Sequence, residues 1–251
     1  MPGFLHLARR FGNELYKFAF PIYRPLYSVF KSYADRAERR LLARNLGDGS
    51  VVVDAGANIG VYSEFLSKCV GSTGVVHSFE PDPDNFARLH SALCNVPNVR
   101  LNQLALSDKA GECLLYVSSE LNVDHRAYRT EGETRKTISI HSTTLDDYFR
   151  PGERVDLIKV DIQGYELHAL RGAERVLADN PYVLLLLEFW PYGLRQAGTS
   201  GSELATFLRE RDFSLSLIGR GGIIPWDSAM ANDCDPSSYT NLFAERGMGE
   251  S

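Results

Sequence analysis

The chain has 251 residues, of which 44% are hydrophobic and 24% are charged, a composition typical of a globular protein with a sizeable core. The composition does not indicate intrinsic disorder, and one α/β domain with a small appendage is expected at this length. The formal net charge of −5 argues against binding to a nucleic-acid backbone, which usually requires a basic surface.

The sequence also lacks the usual marks of export. No apolar run approaches the roughly 18 to 20 residues that cross a bilayer, and the N-terminus has no uninterrupted apolar core of the signal-peptide type. The four cysteines form no CxxC pair, so their spacing predicts neither a disulfide framework nor a zinc site. We therefore expect a cytoplasmic protein.

Residues 1–45 are predicted to form a basic helical arm, followed by a single domain over residues 46–251. The arm carries nine Lys or Arg against three acids, so it is near +6 and the remainder is near −11. Pro21 and Pro25 should interrupt any single helix. Apolar residues recur there at helical spacing, at Phe4, Leu7, Phe11, Leu15, Phe18 and Ile22. We favour a cap packed beside the ligand cleft; the alternative is peripheral contact with an anionic membrane or a partner.

From residue 51 onward, apolar strand-like runs alternate with helical stretches, which predicts βαβ units and a doubly wound, mostly parallel α/β sheet. Seven strands are predicted, at residues 51–53, 75–79, 98–106, 155–160, 182–189, 213–219 and 239–244. Helices are predicted at residues 61–70, 85–95, 165–178 and 202–211. Residues 111–148 are less regular, with short β-like pieces around a polar loop. The last two strands should form an antiparallel pair at the sheet edge.

A glycine-containing turn follows the first strand at residues 54–60, with the sequence Asp-Ala-Gly-Ala-Asn-Ile-Gly. Gly56 permits a tight turn, and Gly60 lets the next helix approach the sheet closely. A dinucleotide-binding turn normally has Gly where this chain has Asn58, and Asp54 would repel a pyrophosphate. We therefore predict that the turn binds S-adenosylmethionine, with Asp54 attracting its ammonium and sulfonium and the helix N-terminus its carboxylate. The predicted cofactor-binding residues of the turn are Asp54, Gly56, Asn58 and Gly60.

The next two strand ends supply further predicted cofactor contacts. Glu80 follows the second strand, where related folds place an acid that binds ribose hydroxyls. The alternative for Glu80 is a solvated acid ahead of the next helix. Ser107 and Asp108 close the third strand and are predicted to contact adenine.

Five segments, in this order, match a known family: residues 53–60, 79–81, 105–108, 144–147 and 157–166. With them, residues 50–244 resemble the FkbM-type methyltransferases, a branch of the class I S-adenosylmethionine-dependent enzymes with a Rossmann-like fold. The family usually has an acid where this chain has Gln163. The resemblance implies O-methylation of a hydroxyl on a sugar, glycolipid or polyketide-like acceptor, by in-line displacement at the methyl carbon.

Four residues are candidates for the chemistry. Asp161 follows the fourth strand and is the first candidate to contact or orient the acceptor hydroxyl, although it could also cap the following helix. His141 and His125 are candidate bases, because imidazole titrates near neutral pH. Glu188, at the end of the leucine-rich strand, is expected to face the same cleft.

Other interpretations stay open on the sequence alone. Asp161 and Glu188, with Asp108, could gather a divalent metal through oxygen ligands, but their spacing does not decide this. A nicotinamide-dependent oxidoreductase of similar topology is disfavoured by Asp54 and Asn58. A cofactor-binding module without catalytic activity, serving a partner or a membrane, is the third possibility.

Overall fold

The computed structural model describes residues 14–118, 124–129, 134–219, 221–233 and 235–246. Its strands are β1 (Val51–Ala55), β2 (Val75–Phe79), β3 (Val99–Asn102), β4 (Ala105–Leu106), β5 (Gly111–Val117), β6 (Lys136–Thr143), β7 (Leu157–Val160), β8 (Leu184–Phe189), β9 (Phe213–Gly219), β10 (Gly222–Pro225) and β11 (Thr240–Arg246). Its helices are α1 (Phe20–Ala34), α2 (Arg36–Asn45), α3 (Val61–Cys69), α4 (Pro83–Leu93), α5 (Leu145–Tyr148), α6 (Glu166–Arg171), α7 (Glu174–Asp179), α8 (Pro191–Gln196) and α9 (Gly201–Arg209), with a 3₁₀ helix at Ser228–Asn232. Residues 14–18 are also helical.

The main sheet of the described chain has the strand order β10-β9-β11-β8-β7-β1-β2-β3. The five strands from β3 to β8 in this order are parallel, and β11, β9 and β10 continue the sheet in antiparallel fashion. The chain leaves β1 through β2 and β3, then returns to the other side of β1 at β7. This reversal places the expected ligand site outside the carboxyl ends of β1 and β7. The predicted doubly wound, mostly parallel α/β fold is confirmed.

The main sheet has eight strands in the described residues, one more than predicted. The additional strand, β10, lies in the stretch predicted to connect the last two strands. Ile223 and Ile224 provide the β-branched side chains that favour a strand, but both are about half exposed, so no buried alternation marks it. An edge strand can also carry Pro225, which lacks an N–H for a second neighbour.

The predicted strand at residues 98–106 divides into two. β3 stays in the main sheet, whereas β4 pairs with β6 in a smaller sheet of order β4-β6-β5. This smaller sheet is formed largely by the region predicted to be irregular. Its position matters for function because β4 turns residues 104–106 toward the carboxyl ends of the main strands.

Both faces of the central strands are covered, as the leucine-rich strand predicted. Leu185 and Leu187 pack in one buried cluster, and Leu186 packs in the cluster on the opposite face. The same alternation holds in β1, where Val53 belongs to the first cluster and Val52 to the second. A parallel strand buried on two sides carries this continuous apolar run.

The arm packs against the domain through aromatic side chains. Tyr16 and Tyr23 are buried with Ile59 and Val61 at the start of α3. The chain breaks before Pro21, as predicted, because Ala19 is not helical. The predicted second break is wrong: Pro25 lies inside α1, where it removes only the hydrogen bond to the carbonyl four residues earlier, near the exposed start of the helix. The predicted apolar positions Phe4, Leu7 and Phe11 lie outside the described residues. No helix in the described part of the chain is long and apolar enough to cross a membrane.

Candidate active site

A cavity of about 440 Å³ lies at the carboxyl ends of β1, β2, β7 and β8. Its wall is completed by β4, by residues 124–127 and by two side chains of α1. The volume is within the usual range for small-molecule sites. Six of the predicted site residues line this cavity: Gly56, Asn58, Glu80, His125, Asp161 and Glu188.

The turn after β1 has the tight geometry predicted for it. The N–H groups of Gly56 and Ala57 both donate to the carbonyl of Phe79, at 3.0 and 2.9 Å, which ties the turn to the end of β2. Gly56 has φ +77°, and a Cβ there would lie 2.0 Å from the carbonyl oxygen of Asp161. Gly60 has φ +82° and abuts Leu89 of α4, where a Cβ would come within 2.7 Å. Gly60 thus packs the helices together and does not line the cavity.

The structure corrects the direct role predicted for Asp54. Its side chain is fully buried and lies outside the cavity wall, on the same face of β1 as Val52. Ser63 Oγ donates to one carboxylate oxygen at 2.7 Å, and Lys159 Nζ lies 3.2 Å from the other. Because a buried cation already balances this carboxylate, Asp54 does not present a free charge to a ligand. Its geometry supports the turn from beneath.

Glu80 and Asn58 are brought together at the cavity. Glu80 is 5% exposed; its Oε2 accepts the N–H of Asn58 at 2.8 Å, and its Oε1 accepts the N–H of Asp82 at 3.0 Å. Burial raises the pKa of Glu80 to about 8, despite these two hydrogen bonds, which lower it. The solvated-acid alternative does not fit this burial. A carboxyl group fixed this way can hydrogen-bond to a ligand's hydroxyl groups.

Ser107 and Asp108 are not among the residues that line the cavity, and the contact with adenine predicted for them stays a prediction. Ser107 Oγ donates to Asp108 Oδ1 at 3.1 Å, and Asp108 lies 3.4 Å from His168 Nδ1. The side chains that line the cavity here are the apolar ones of residues 104–106. The strand β4 ends at Leu106, and the two residues that follow it are outside the cavity wall.

The acidic end of the cavity is formed by Asp161 and Glu188. Gln163 Nε2 donates to Glu188 Oε2 at 2.9 Å and lies 3.4 Å from Asp161 Oδ1, so a neutral amide bridges the two carboxylates. Burial, followed by repulsion from Asp161 and Glu166, raises the pKa of Glu188 well above its ordinary value and favours its protonated form. The Asp161 side chain is 41% exposed, and Lys159 Nζ lies 3.8 Å from it. Asp161 is therefore the better-placed carboxylate to accept a proton.

The two candidate bases, His141 and His125, differ in position. His141 is exposed on β6, opposite Glu112 of β5, and does not line the cavity. His125 does line it, but its Nδ1 accepts the N–H of Ser118 at 3.1 Å and its Nε2 lies 3.8 Å from Asp82. Burial lowers the pKa of His125, against the opposing effect of Asp82. Its accepting nitrogen is occupied, so His125 has no lone pair directed at a substrate.

Sequence reasoning missed the contribution of the arm. Tyr27 and Lys31, both on α1, line the cavity beside the acidic end. Lys31 Nζ lies 2.7 Å from Asp35. Burial lowers the pKa of Lys31, but the negative charges of Asp35, Asp161 and Glu188 raise it by more. Aromatic residues at helical spacing were the available signal for this inner face, at Tyr16, Phe20, Tyr23 and Tyr27.

A metal site does not assemble from the predicted acids. In the described ranges, no three His, Cys, Asp or Glu side chains converge as potential metal ligands. Asp108 is separated from the other two acids, since it pairs with His168 and lies outside the cavity wall.

Comparison with known proteins identifies the family. Residues 54–215 match the model of the methyltransferase FkbM domain. The hexuronic acid methyltransferase AglP of Haloferax volcanii is 28% identical over 183 residues, covering 71% of this chain and 69% of AglP. The 2-O-methyltransferase NoeI of Sinorhizobium fredii is 25% identical, covering 68% of this chain and 74% of NoeI.

The structural comparison supports the same fold. The crystal structure of methyltransferase FkbM from Methylobacillus flagellatus superposes with a TM-score of 0.51 at 18% identity, covering 79% of this chain. This chain spans only 44% of the length of that protein. With the family model matching from the turn after β1 into β9, the chain belongs to the FkbM methyltransferase family.

Proposed function

We propose that this protein transfers the methyl group of S-adenosylmethionine to a hydroxyl oxygen of a sugar-like acceptor in the cavity at the end of β1 and β7. The observation that carries the proposal is Glu80, whose buried carboxyl group lines this cavity and is fixed by the backbone of the glycine-containing turn. A sugar-like acceptor is supported by two relatives, AglP and NoeI, whose names specify a hexuronic acid and a 2-O position.

The residues present fit S-adenosylmethionine. Glu80 would accept hydrogen bonds from the ribose hydroxyls, and the apolar wall at residues 104–106 would pack on the adenine. Val61 and Tyr62, at the N-terminus of α3, also line the cavity, where the helix dipole favours a carboxylate. When bound, this cofactor supplies an electrophilic methyl group on a sulfonium.

Asp161 is proposed as the group that accepts the acceptor's proton. Its side chain is 41% exposed and lines the cavity, whereas burial and neighbouring acids raise the pKa of Glu188 and favour its protonated form. A positioned base of this kind is typically worth about 10² to 10⁴ in rate. Orientation of the reacting atoms by the cavity can supply roughly 7–11 kcal/mol, so positioning is the larger contribution.

The lining near Asp161 favours a polar, ring-shaped acceptor. Trp190 and Tyr239 provide aromatic surface, and Lys31 and Asp161 provide polar groups. Aromatic faces combined with a few directed polar groups suit a sugar, which has both apolar ring faces and hydroxyl edges. No metal is part of this proposal.

A methyl-transfer assay tests the proposal. The protein would be incubated with S-adenosylmethionine labelled in the methyl carbon and with methyl glycosides of hexoses and hexuronic acids, and the labelled product would be located by mass spectrometry. We expect the label on a hydroxyl oxygen. Label on a carboxylate only would contradict the hydroxyl assignment; cofactor binding without transfer to any acceptor would favour the module without catalytic activity.

Peripheral contact between the arm and a membrane, at a cytoplasmic location, is a further part of the proposal. The described residues 14–45 expose four cations against one exposed acid, Glu14, while residues 46–251 are near −11. An anionic surface would therefore attract the arm and repel the domain.

A further inference from the structure

Helix α1 carries apolar side chains on two faces. Its inner face packs on the domain through aromatic residues, including Tyr23 and Tyr27. A second, exposed face, together with the helical turn before it, carries six large apolar side chains that are 59–82% exposed. We call this set the outer stripe: Phe18, Ile22, Leu26, Val29, Phe30 and Tyr33.

The outer stripe is unusual among the exposed apolar residues of this chain. Spacings of three and four residues place its members on one helix face, so they form a continuous surface. Elsewhere in the described ranges, exposed large apolar side chains are single or paired along the sequence, as at Tyr182 and at Ile223–Ile224. A contiguous exposed apolar surface usually marks an interaction site.

The charges around the stripe indicate what covers it. Lys17 precedes α1, and the exposed arginines Arg36, Arg40 and Arg44 follow it on α2. Two of the arm's less exposed cations are paired with acids, Arg24 with Glu64 at 2.8 Å and Lys31 with Asp35 at 2.7 Å. A third, Arg39, lies over the rings of Tyr62 and Phe65. An apolar helix face flanked by exposed cations is the pattern of a helix that lies in the interface of an anionic bilayer. A nucleic acid would use the cations but not six apolar side chains.

We propose that α1 is an interfacial helix, which inserts the outer stripe into the apolar boundary of a bilayer containing anionic lipids. This inference rests on the peripheral contact proposed above and is independent of methyl transfer. It also fixes the orientation of the enzyme, because Tyr27 and Lys31 on the inner face of the same helix line the cavity. The docked protein therefore holds the α1 wall of its cavity beside the membrane.

Vesicle flotation of the full chain tests the proposal. The probes are vesicles of phosphatidylcholine alone and of phosphatidylcholine mixed with phosphatidylglycerol. We expect binding to the mixed vesicles, and binding at least about tenfold weaker for the Leu26→Asp/Val29→Asp variant. The matched control is Ile223→Asp/Ile224→Asp, which places the same two charges at an exposed apolar pair on β10 and should bind like wild type.

Two further measurements separate the possible outcomes. Circular dichroism and thermal unfolding show whether the Leu26→Asp/Val29→Asp variant is folded. If it is not, a Val29→Trp variant replaces it. Its tryptophan fluorescence should shift to shorter wavelength on mixed vesicles. Unchanged binding by the folded aspartate variant, or an unshifted Val29→Trp emission, would overturn insertion. Binding could also be lost in Arg36→Glu/Arg40→Glu but unchanged in Leu26→Asp/Val29→Asp. That result would support electrostatic contact with the membrane and refute insertion. A dimer that the aspartate variant converts to monomer would instead assign the stripe to a second copy.

Discussion

Replacing Lys159 with methionine tests the buried ion pair beneath the glycine-containing turn. Lys159 is 5% exposed and its Nζ lies 3.2 Å from the carboxylate of the fully buried Asp54. At that distance and an effective dielectric constant of about 20, the attraction is roughly 5 kcal/mol. Removing one partner of a buried pair usually costs about 3–5 kcal/mol, because the other charge stays buried without compensation. We therefore expect Lys159→Met to lower the free energy of unfolding by about 3–5 kcal/mol.

Urea unfolding followed by circular dichroism measures this change. The matched control is Lys68→Met, which removes a pair of similar length, 2.9 Å to Glu64, in which the lysine is 72% exposed; its cost should be about 0–1 kcal/mol. Adding Asp54→Asn to Lys159→Met should restore more than about 1 kcal/mol, because it removes the charge left behind. If Lys159→Met cost no more than Lys68→Met, or if the double variant were less stable still, the assignment of Asp54 to a structural pair would be wrong.

Three further predictions concern the cavity. Burial raises the pKa of Glu80 from 4.5 to about 8, so its contribution to stability is complete below pH 4.5 and lost as the pH rises to 8. Between these pH values the free energy of unfolding should fall with a slope of up to about 1.4 kcal/mol per pH unit from this group, and Glu80→Gln should remove that slope in urea unfolding. An unchanged slope would contradict the raised pKa. Asp161→Asn should lower turnover by a factor of about 10² to 10⁴, while the dissociation constant of S-adenosylmethionine stays within about twofold of wild type. The control Glu203→Gln changes an exposed acid and should alter neither quantity. Normal turnover in Asp161→Asn would remove Asp161 from the site. Gly56→Ala should destabilise the fold by clearly more than Gly152→Ala, since both have φ near +75° but only the first Cβ would meet a backbone oxygen; equal losses in thermal unfolding would refute the close contact.

The order and type of the central elements followed from apolar periodicity because that signal reports burial on the two faces of a sheet. The leucine run of β8 required cover on both sides, and the structure provides it. The same signal fails at β10, where Ile223 and Ile224 are about half exposed and no alternation exists. It also did not separate the two faces of the arm: Phe18 and Ile22 belong to the exposed outer stripe, whereas Tyr16 and Tyr23 are buried against the domain.

The ends of the parallel strands that carry the site residues were predictable from the sequence to within one or two residues. The direction in which each side chain points from its strand end was not. Glu80 and Asp161 line the cavity, whereas Asp54 in β1 is fully buried outside the cavity wall, where it pairs with Lys159 at 3.2 Å. A one-residue difference in a strand reverses the direction of the side chain. Lys31 could not be predicted from local pattern, because only tertiary packing brings α1 to the end of β7 and β8.

The central claim is that the glycine-containing turn and Glu80 hold S-adenosylmethionine. Calorimetric titration of the full chain with S-adenosylmethionine and, separately, with NAD tests it most directly, using wild type and Glu80→Ala. We predict one site for S-adenosylmethionine, binding weakened at least about tenfold in Glu80→Ala, and no heat with NAD. Saturable binding of NAD, or equal affinity of wild type and Glu80→Ala for S-adenosylmethionine, would contradict the proposed site.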